Sequence, residues 1–485
     1  MLPPNTVEIL KSLNKNELKK LADFISSPYF NSKESLHHLT NEITKHYPEF
    51  KPEKFEYKRV YKKIYRADEY KEQTIRNLYS EFGVLLRKFV AYERLESHET
   101  DFNRMLINGL RDKKCYELSN KAISRMKKEP LKSFNTEEDY YYEMYYLENL
   151  YAYNITSLNK LDLNEYHEVF NNIIDNLSSF YLSNLFYYSG EDSVLTKVHR
   201  VKKLIPGKKA AFLNSFNEKE FFKPEYDSPD TAFLKIRYLC FVYSNKDITF
   251  EEYKELEELV MKNIESFSVH FINTCWFALL VLILIKLVPK DKKHYQDAFL
   301  LNDYFTKLDI FPNDKNVSVS ISLFKDVFGT ALVLKEYEWA QNFIDKFSPY
   351  LEDEARDNEV NYSLGRLNFQ LKKYENSIDY LNKVIYPAVL EKINVRFYYL
   401  MNYIELKSYQ SAISMLNSIK QFYLESKEIP EMFAVLIESS IKFFREIIKA
   451  EENNKKVDFA ILKEAENAGR YYQKQYIIGK LKTLV

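Results

Sequence analysis

Apolar side chains recur at three- and four-residue steps along most of this chain, the period of a helix that buries one face. Leu18, Leu21, Phe24 and Ile25 keep that period after Asn14 and Glu17, whose spacing predicts a capping box, and Ser27-Pro28 predicts the stop. Ile75, Leu78, Phe82, Leu85 and Phe89 trace a second stripe, with Glu72, Arg76, Ser80 and Arg87 on the other face. Further on, Thr136 and Asp139 form another capping pair ahead of a tyrosine-dense run from Tyr140 to Tyr153. Tyr166, Phe170, Ile173, Leu177 and Phe180 predict a long amphipathic helix that Gly190 would cap. Pro206-Gly207, Pro224 and Pro229 then interrupt the pattern, with Ser228 as an N-cap and Pro229 at the first helical position. The chain thus divides into an N-terminal helical domain over 1–95, irregular helical hairpins over 96–225 and a more regular array over 226–485.

Within that last part a motif repeats. Lys335-Glu336-Tyr337, Lys372-Lys373-Tyr374 and Lys407-Ser408-Tyr409 are each followed three residues after the tyrosine by a small residue: Ala340, Ser377 and Ala412. The tyrosines stand 37 and 35 residues apart, close to a period of about 34 residues. Ile344, Leu381 and Leu416, then Phe347, Val384 and Ile419, continue the inward stripe of each second helix. With Leu364-Gly365 and Tyr403, these positions resemble the tetratricopeptide family, most clearly over 321–422, and Tyr116, Ser119, Ile123 and Met126 repeat the form earlier. The resemblance implies an all-α superhelix of helix hairpins whose inner groove presents Lys325, Tyr362, Arg366, Asn394, Phe397 and Met401 to a protein or peptide.

Composition agrees with helix. Only 8 Gly and 14 Pro occur in 485 residues, too few for a protein rich in tight sheet turns. The 70 Lys and Arg balance 70 Asp and Glu, so attraction to a polyanion must come from a local patch. Cys115, Cys240 and Cys275 are dispersed and odd in number, which predicts reduced, buried thiols and a cytoplasmic location. The start, Met1-Leu2-Pro3-Pro4-Asn5, has none of the basic and apolar blocks of a signal peptide. The apolar stretch from Trp276 to Ile285 falls short of the roughly 20 residues of a membrane span, so it reads as a buried helix and no membrane partner is expected.

The common catalytic spacings are not found. Gly207-Lys208 has Lys202 where a phosphate-cradling loop needs glycine, and His167-Glu168 is followed by Asn171 where zinc would need histidine. No cofactor or metal is implied. Two basic patches stand out. Between Lys51 and Phe89 there are eleven Lys or Arg against six acids, interleaved with Tyr57, Tyr61 and Tyr65; this segment resembles winged-helix DNA-binding domains that precede helical repeats in some bacterial activators. On that resemblance, Lys62, Lys63, Arg66, Arg76 and Arg87 would face DNA. The second patch is Lys197, Arg200, Lys202, Lys203, Lys208 and Lys209, a candidate phosphate contact. The opening, through Glu17-Leu18-Lys19-Lys20-Leu21-Ala22-Asp23-Phe24, Ser27-Pro28-Tyr29-Phe30-Asn31 and Arg76-Asn77-Leu78, also resembles an uncharacterised bacterial family, which implies a separate N-terminal unit. Three functional readings follow: a non-enzymatic scaffold with a peptide groove, a DNA-binding regulator whose repeats sense a signal, and an enzyme with a dispersed site. Oligomeric state is open.

Overall fold

The computed structural model describes residues 1–66, 69–130, 134, 136–158, 162–197, 213, 216–223, 229–308, 318–385, 389–426, 429 and 431–485. These form α-helices throughout, and no strand occurs among them. Contacts divide the chain into two compact units, residues 1–129 with 146–172, and 130–145 with 173–485. Two of the three cuts, at 145–146 and 172–173, pass through long helices and the third follows Glu129; none lies at 95 or 225.

The first unit opens with α1 (Pro4–Ser12), α2 (Lys15–Ser26), α3 (Glu34–Thr44), α4 (Tyr57–Tyr65) and α5 (Glu72–Ser97). The capping box of α2 is formed: the Asn14 side chain accepts from the backbone of Glu17 at 3.0 Å, and Glu17 Oε2 accepts from the Asn14 N–H at 2.7 Å. Both apolar stripes read from sequence are buried together in one core that runs from Leu2 to Phe89, each large side chain contributing about 1.5–3 kcal/mol. That shared core makes the N-terminal segment a packing entity. After it come α6 (Glu99–Asp112), α7 (Tyr116–Met126), α8 (Glu137–Ser157) and α9 (Leu163–Lys197). Gly190 does not cap α9, which continues beyond it; no glycine among the described residues has positive φ. Tyrosines of the 140–153 run serve different ends: Tyr141 is buried, whereas Tyr142 and Tyr153 are exposed.

In the second unit α10 (Glu218–Phe221), α11 (Pro229–Asn245), α12 (Phe250–Asn263), α13 (Val269–Leu282) and α14 (His294–Lys307) lead to the hairpin region. Here a buried polar cluster ties the start of α8 to α11 and α13. Glu137 accepts from the Ser268 N–H and hydroxyl, both at 2.7 Å, and Arg237 pairs with Glu138 at 2.9 Å while lying 4.7 Å from the Phe271 ring centre. Helix α13 runs on through a π-turn to Leu287, longer than the ten-residue run suggested. Those 19 residues have a mean hydropathy of 1.9 and are long and apolar enough to cross a membrane. In the structure the helix packs in the core through Phe271, Ile272, Cys275, Trp276, Leu279, Leu280 and Ile283, and the Trp276 indole donates to Asn302 at 2.8 Å. All three cysteines are free thiols; Cys275 is buried, Cys115 and Cys240 half-buried.

Helices α15 (Ile321–Leu334) and α16 (Tyr337–Phe347), α17 (Asp353–Gln370) and α18 (Tyr374–Leu381), and α19 (Val389–Glu405) and α20 (Tyr409–Glu425) form three consecutive hairpins. Each turns on the lysine of the repeated motif. Lys335, Lys372 and Lys407 have φ of 64°, 61° and 56°, and the next residue's N–H reaches back to Ala331, Asn368 or Tyr403 at 2.8–2.9 Å. That is a Schellman turn with lysine where glycine is usual. Lys114, between α6 and α7, turns in the same way, with φ 59° and Cys115 N–H on the Leu110 carbonyl. The small residues lie at the contacts between paired helices: Ala340, Ser377 and Ala412 are fully buried. A Cβ on Gly365 would stand 2.8 Å from Leu381 Cδ2, which explains glycine in mid-helix there.

The chain finishes with α21 (Glu431–Glu452), α22 (Phe459–Asn467) and α23 (Lys474–Leu484). Ile477 and Leu481 of α23 are fully buried in a core shared with α19 to α22. Above them a polar knot forms: Lys480 pairs with Glu405 at 3.0 Å and Glu451 at 2.8 Å, and the Tyr476 hydroxyl donates to Glu405 at 2.8 Å.

Candidate functional site

The first helices of the three hairpins place α15, α17 and α19 side by side, and a hollow of about 470 Å³ opens over them. It is lined by Lys325 from α15, Tyr362 and Arg366 from α17, Glu391, Asn394 and Tyr398 from α19, and Gln473 from the turn before α23. Four residues expected in a groove from sequence thus line one hollow. Phe397 and Met401 do not. Both are buried, and Phe397 stacks on Phe444 and Tyr472 at 5.6 and 5.3 Å. Spacing alone does not separate them, because Asn394, Phe397 and Met401 lie within about 60° of one another on α19; Phe397 and Met401 pack into the core with Ile393, Leu400 and Ile404.

Arg366 organises the floor. Its guanidinium lies 5.2, 5.5 and 5.9 Å from the ring centres of Phe328, Tyr362 and Tyr398, and Nε donates to the Tyr398 hydroxyl at 3.2 Å. The two tyrosine rings meet edge to face at 5.9 Å. Such stacking fixes the guanidinium plane, which a lysine could not do. Lys325 pairs with the buried Glu359 at 3.2 Å. Beside them, burial raises the Asp326 carboxyl to about 6, against the opposing pull of Arg366 and Lys325. Burial also raises the Tyr362 phenol, so it stays a neutral donor. The site therefore offers oriented cations, phenol and amide groups on an aromatic floor, a surface suited to holding extended polar chains.

Sequence pattern missed Tyr398 and Glu391, although helical spacing from Asn394 could have found both. Gln473 carries no local signal, because it reaches the hollow from a turn 79 residues beyond Asn394.

The residues expected to face DNA separate into two groups. Lys63 is hydrogen-bonded to Glu42; burial would raise that carboxyl, but Lys63 and Lys45 more than offset it and leave it below its usual value. Arg76 donates to Glu72 at 2.9 Å and lies over the Tyr57 ring at 5.5 Å. Lys62, Arg66 and Arg87 are exposed and have no carboxylate partner among the described residues. No strand that could form a wing occurs among the described residues of 1–95. The side chains of the patch from Lys197 to Lys209 lie outside the described residues. Among the described residues no three His, Cys, Asp or Glu side chains are grouped to hold a metal. No family model, no characterised protein and no solved structure shows significant similarity to this chain.

Proposed function

We propose that the chain is a cytoplasmic, non-enzymatic scaffold of tetratricopeptide-like hairpins that receives a protein or peptide segment in the hollow over α15, α17 and α19. The convergence of Lys325, Tyr362, Arg366 and Asn394 on that one hollow carries the reading. An extended peptide presents a carbonyl or N–H every residue, and the lining supplies amide, phenol and guanidinium partners from successive helices. Selection of peptides on the immobilised full chain, followed by titration of the best binder, tests it. Arg366→Ala should weaken that binder at least about tenfold, the value of one charge-assisted hydrogen bond. A binder indifferent to Lys325→Ala, Arg366→Ala and Asn394→Ala, or turnover of a small molecule by the pure protein with no peptide selected, would remove the proposal.

A DNA-binding regulator is the second reading. It is favoured by the outer face of α4, where Arg59, Lys62 and Arg66 have no carboxylate partner among the described residues and the helix itself has no acid. Duplex DNA should then bind with an affinity that falls about 0.9 log unit per log unit of salt for each neutralised phosphate, and Lys62→Glu should abolish it. An enzyme with a dispersed site is the third reading, and no grouping in the hollow favours it.

A further inference from the structure

The first unit contains a second concavity, of about 350 Å³, between α7 and α8. Lys121 and Arg125 lie at i and i+4 on α7 and Lys128 in the turn that follows it, with Ser124 between the first two, Asn120 at one edge and Tyr151 of α8 as the far wall. Seven residues separate the ends of this row, about 10 Å at helical rise, a span that two lysine side chains can close.

The charge of the row is not spent within the protein. Lys121 and Lys128 have no acid partner among the described residues. Arg125 has one, Glu99 at 3.0 Å, with both side chains 75% exposed, a pair that solvent renders easily exchanged. Two neighbouring acids are engaged elsewhere: Glu148 holds Lys127 at 2.5 Å and Glu165 accepts from the Tyr151 hydroxyl at 2.5 Å. The Asn120 oxygen already accepts from Asn154 at 2.8 Å, so what Asn120 has left to offer is its N–H groups. Apart from the Tyr151 hydroxyl, whose proton is given to Glu165, the remaining polar groups of the wall are cations or hydrogen-bond donors.

We propose that this hollow binds a phosphate monoester. A phosphomonoester carries close to two negative charges at neutral pH and three acceptor oxygens, which matches two ammonium groups, a guanidinium able to engage two oxygens at once, and the Ser124 hydroxyl. A carboxylate has half the charge and one fewer oxygen, so it would leave one of the cations unmatched. The volume is at the small end of ligand pockets, sufficient for the phosphoryl group and the few atoms that carry it.

Calorimetric titration of the full chain tests this with glycerol 3-phosphate, glycerol sulfate, and a short phosphoserine peptide beside its unphosphorylated form. Saturable binding of a phosphomonoester is expected, weakened at least about tenfold in Lys121→Gln/Lys128→Gln. It should also weaken as pH falls from 7.5 to 5.5, because the ester's second ionisation lies near 6, and the sulfate ester should bind several times more weakly. Whichever of the glycerol ester and the phosphopeptide binds more tightly identifies the source of the group. The substituted lysines are exposed, and an unchanged circular dichroism spectrum verifies the fold. Lack of saturation by either phosphomonoester, equal binding by the double variant, or equal affinity for a single-stranded oligonucleotide would overturn the proposal, the last by showing only a basic face. The peptide hollow over α15, α17 and α19 shares no residue with this one, so either can fail alone.

Discussion

Asp326 shows what a single half-buried charge does to the whole. Its carboxyl titrates near 6 in the folded chain and near 3.8 when unfolded, so between those values the folded state binds more protons. Stability from this group therefore rises as pH falls from about 6 to 3.8, and above about 6 its ionisation opposes folding in full. Asp326→Asn should stabilise the protein by about 1–3 kcal/mol at pH 7.5, with the gain fading towards pH 4; denaturant titrations at the two pH values measure it, and no gain at pH 7.5 would refute the burial argument. Residues of this kind were hidden from the sequence, where Asp326 looks like any surface acid on an amphipathic helix. Lys325, Tyr362, Arg366 and Asn394 were legible because hairpin correspondence fixes which turn of a helix faces inward. It did not tell which residues within about 60° of Asn394 the neighbouring helices would cover, and Phe397 and Met401 went to the core.

At the scale of elements, the hairpin turn is the recurring device. The left-handed conformation costs a non-glycine residue about 1–2 kcal/mol, yet lysine adopts it at residues 114, 335, 372 and 407. Glycine at these positions would relieve that strain while adding about 0.5–1 kcal/mol of unfolded-state entropy. Lys335→Gly, Lys372→Gly and Lys407→Gly should each raise stability by about 0.5–1 kcal/mol, read as a higher unfolding midpoint; a fall in all three would show that the lysine side chains contribute more than their backbone strain removes. The Lys-x-Tyr spacing made these hairpins legible, and the stripes of α2 and α5 were equally so, because buried positions at helical period leave no other reading. The end of α9 was not legible, since a glycine can sit inside a helix as well as terminate it. The full length of α13 was not either: His270, Asn273 and Thr274 broke the apolar run in sequence without breaking the helix.

For the molecule as a whole, the C-terminal helix α23 matters through Lys480, which sits between Glu405 and Glu451. Burial lowers its pKa, but its hydrogen bonds to the two carboxylates, with their charge, outweigh that and leave it raised. Its contribution is complete below the unfolded value of 10.5 and is lost as pH climbs through the folded one. Lys480→Met should cost about 1–2 kcal/mol at pH 7.5, because two carboxylates then face each other without a cation, and thermal unfolding at pH 7.5 and 11 should show the deficit shrinking. Equal deficits at both would assign it to lost packing. By seating Ile477 and Leu481 in the core shared with α19 to α22, α23 keeps from water an apolar face that a helix hairpin cannot bury by itself.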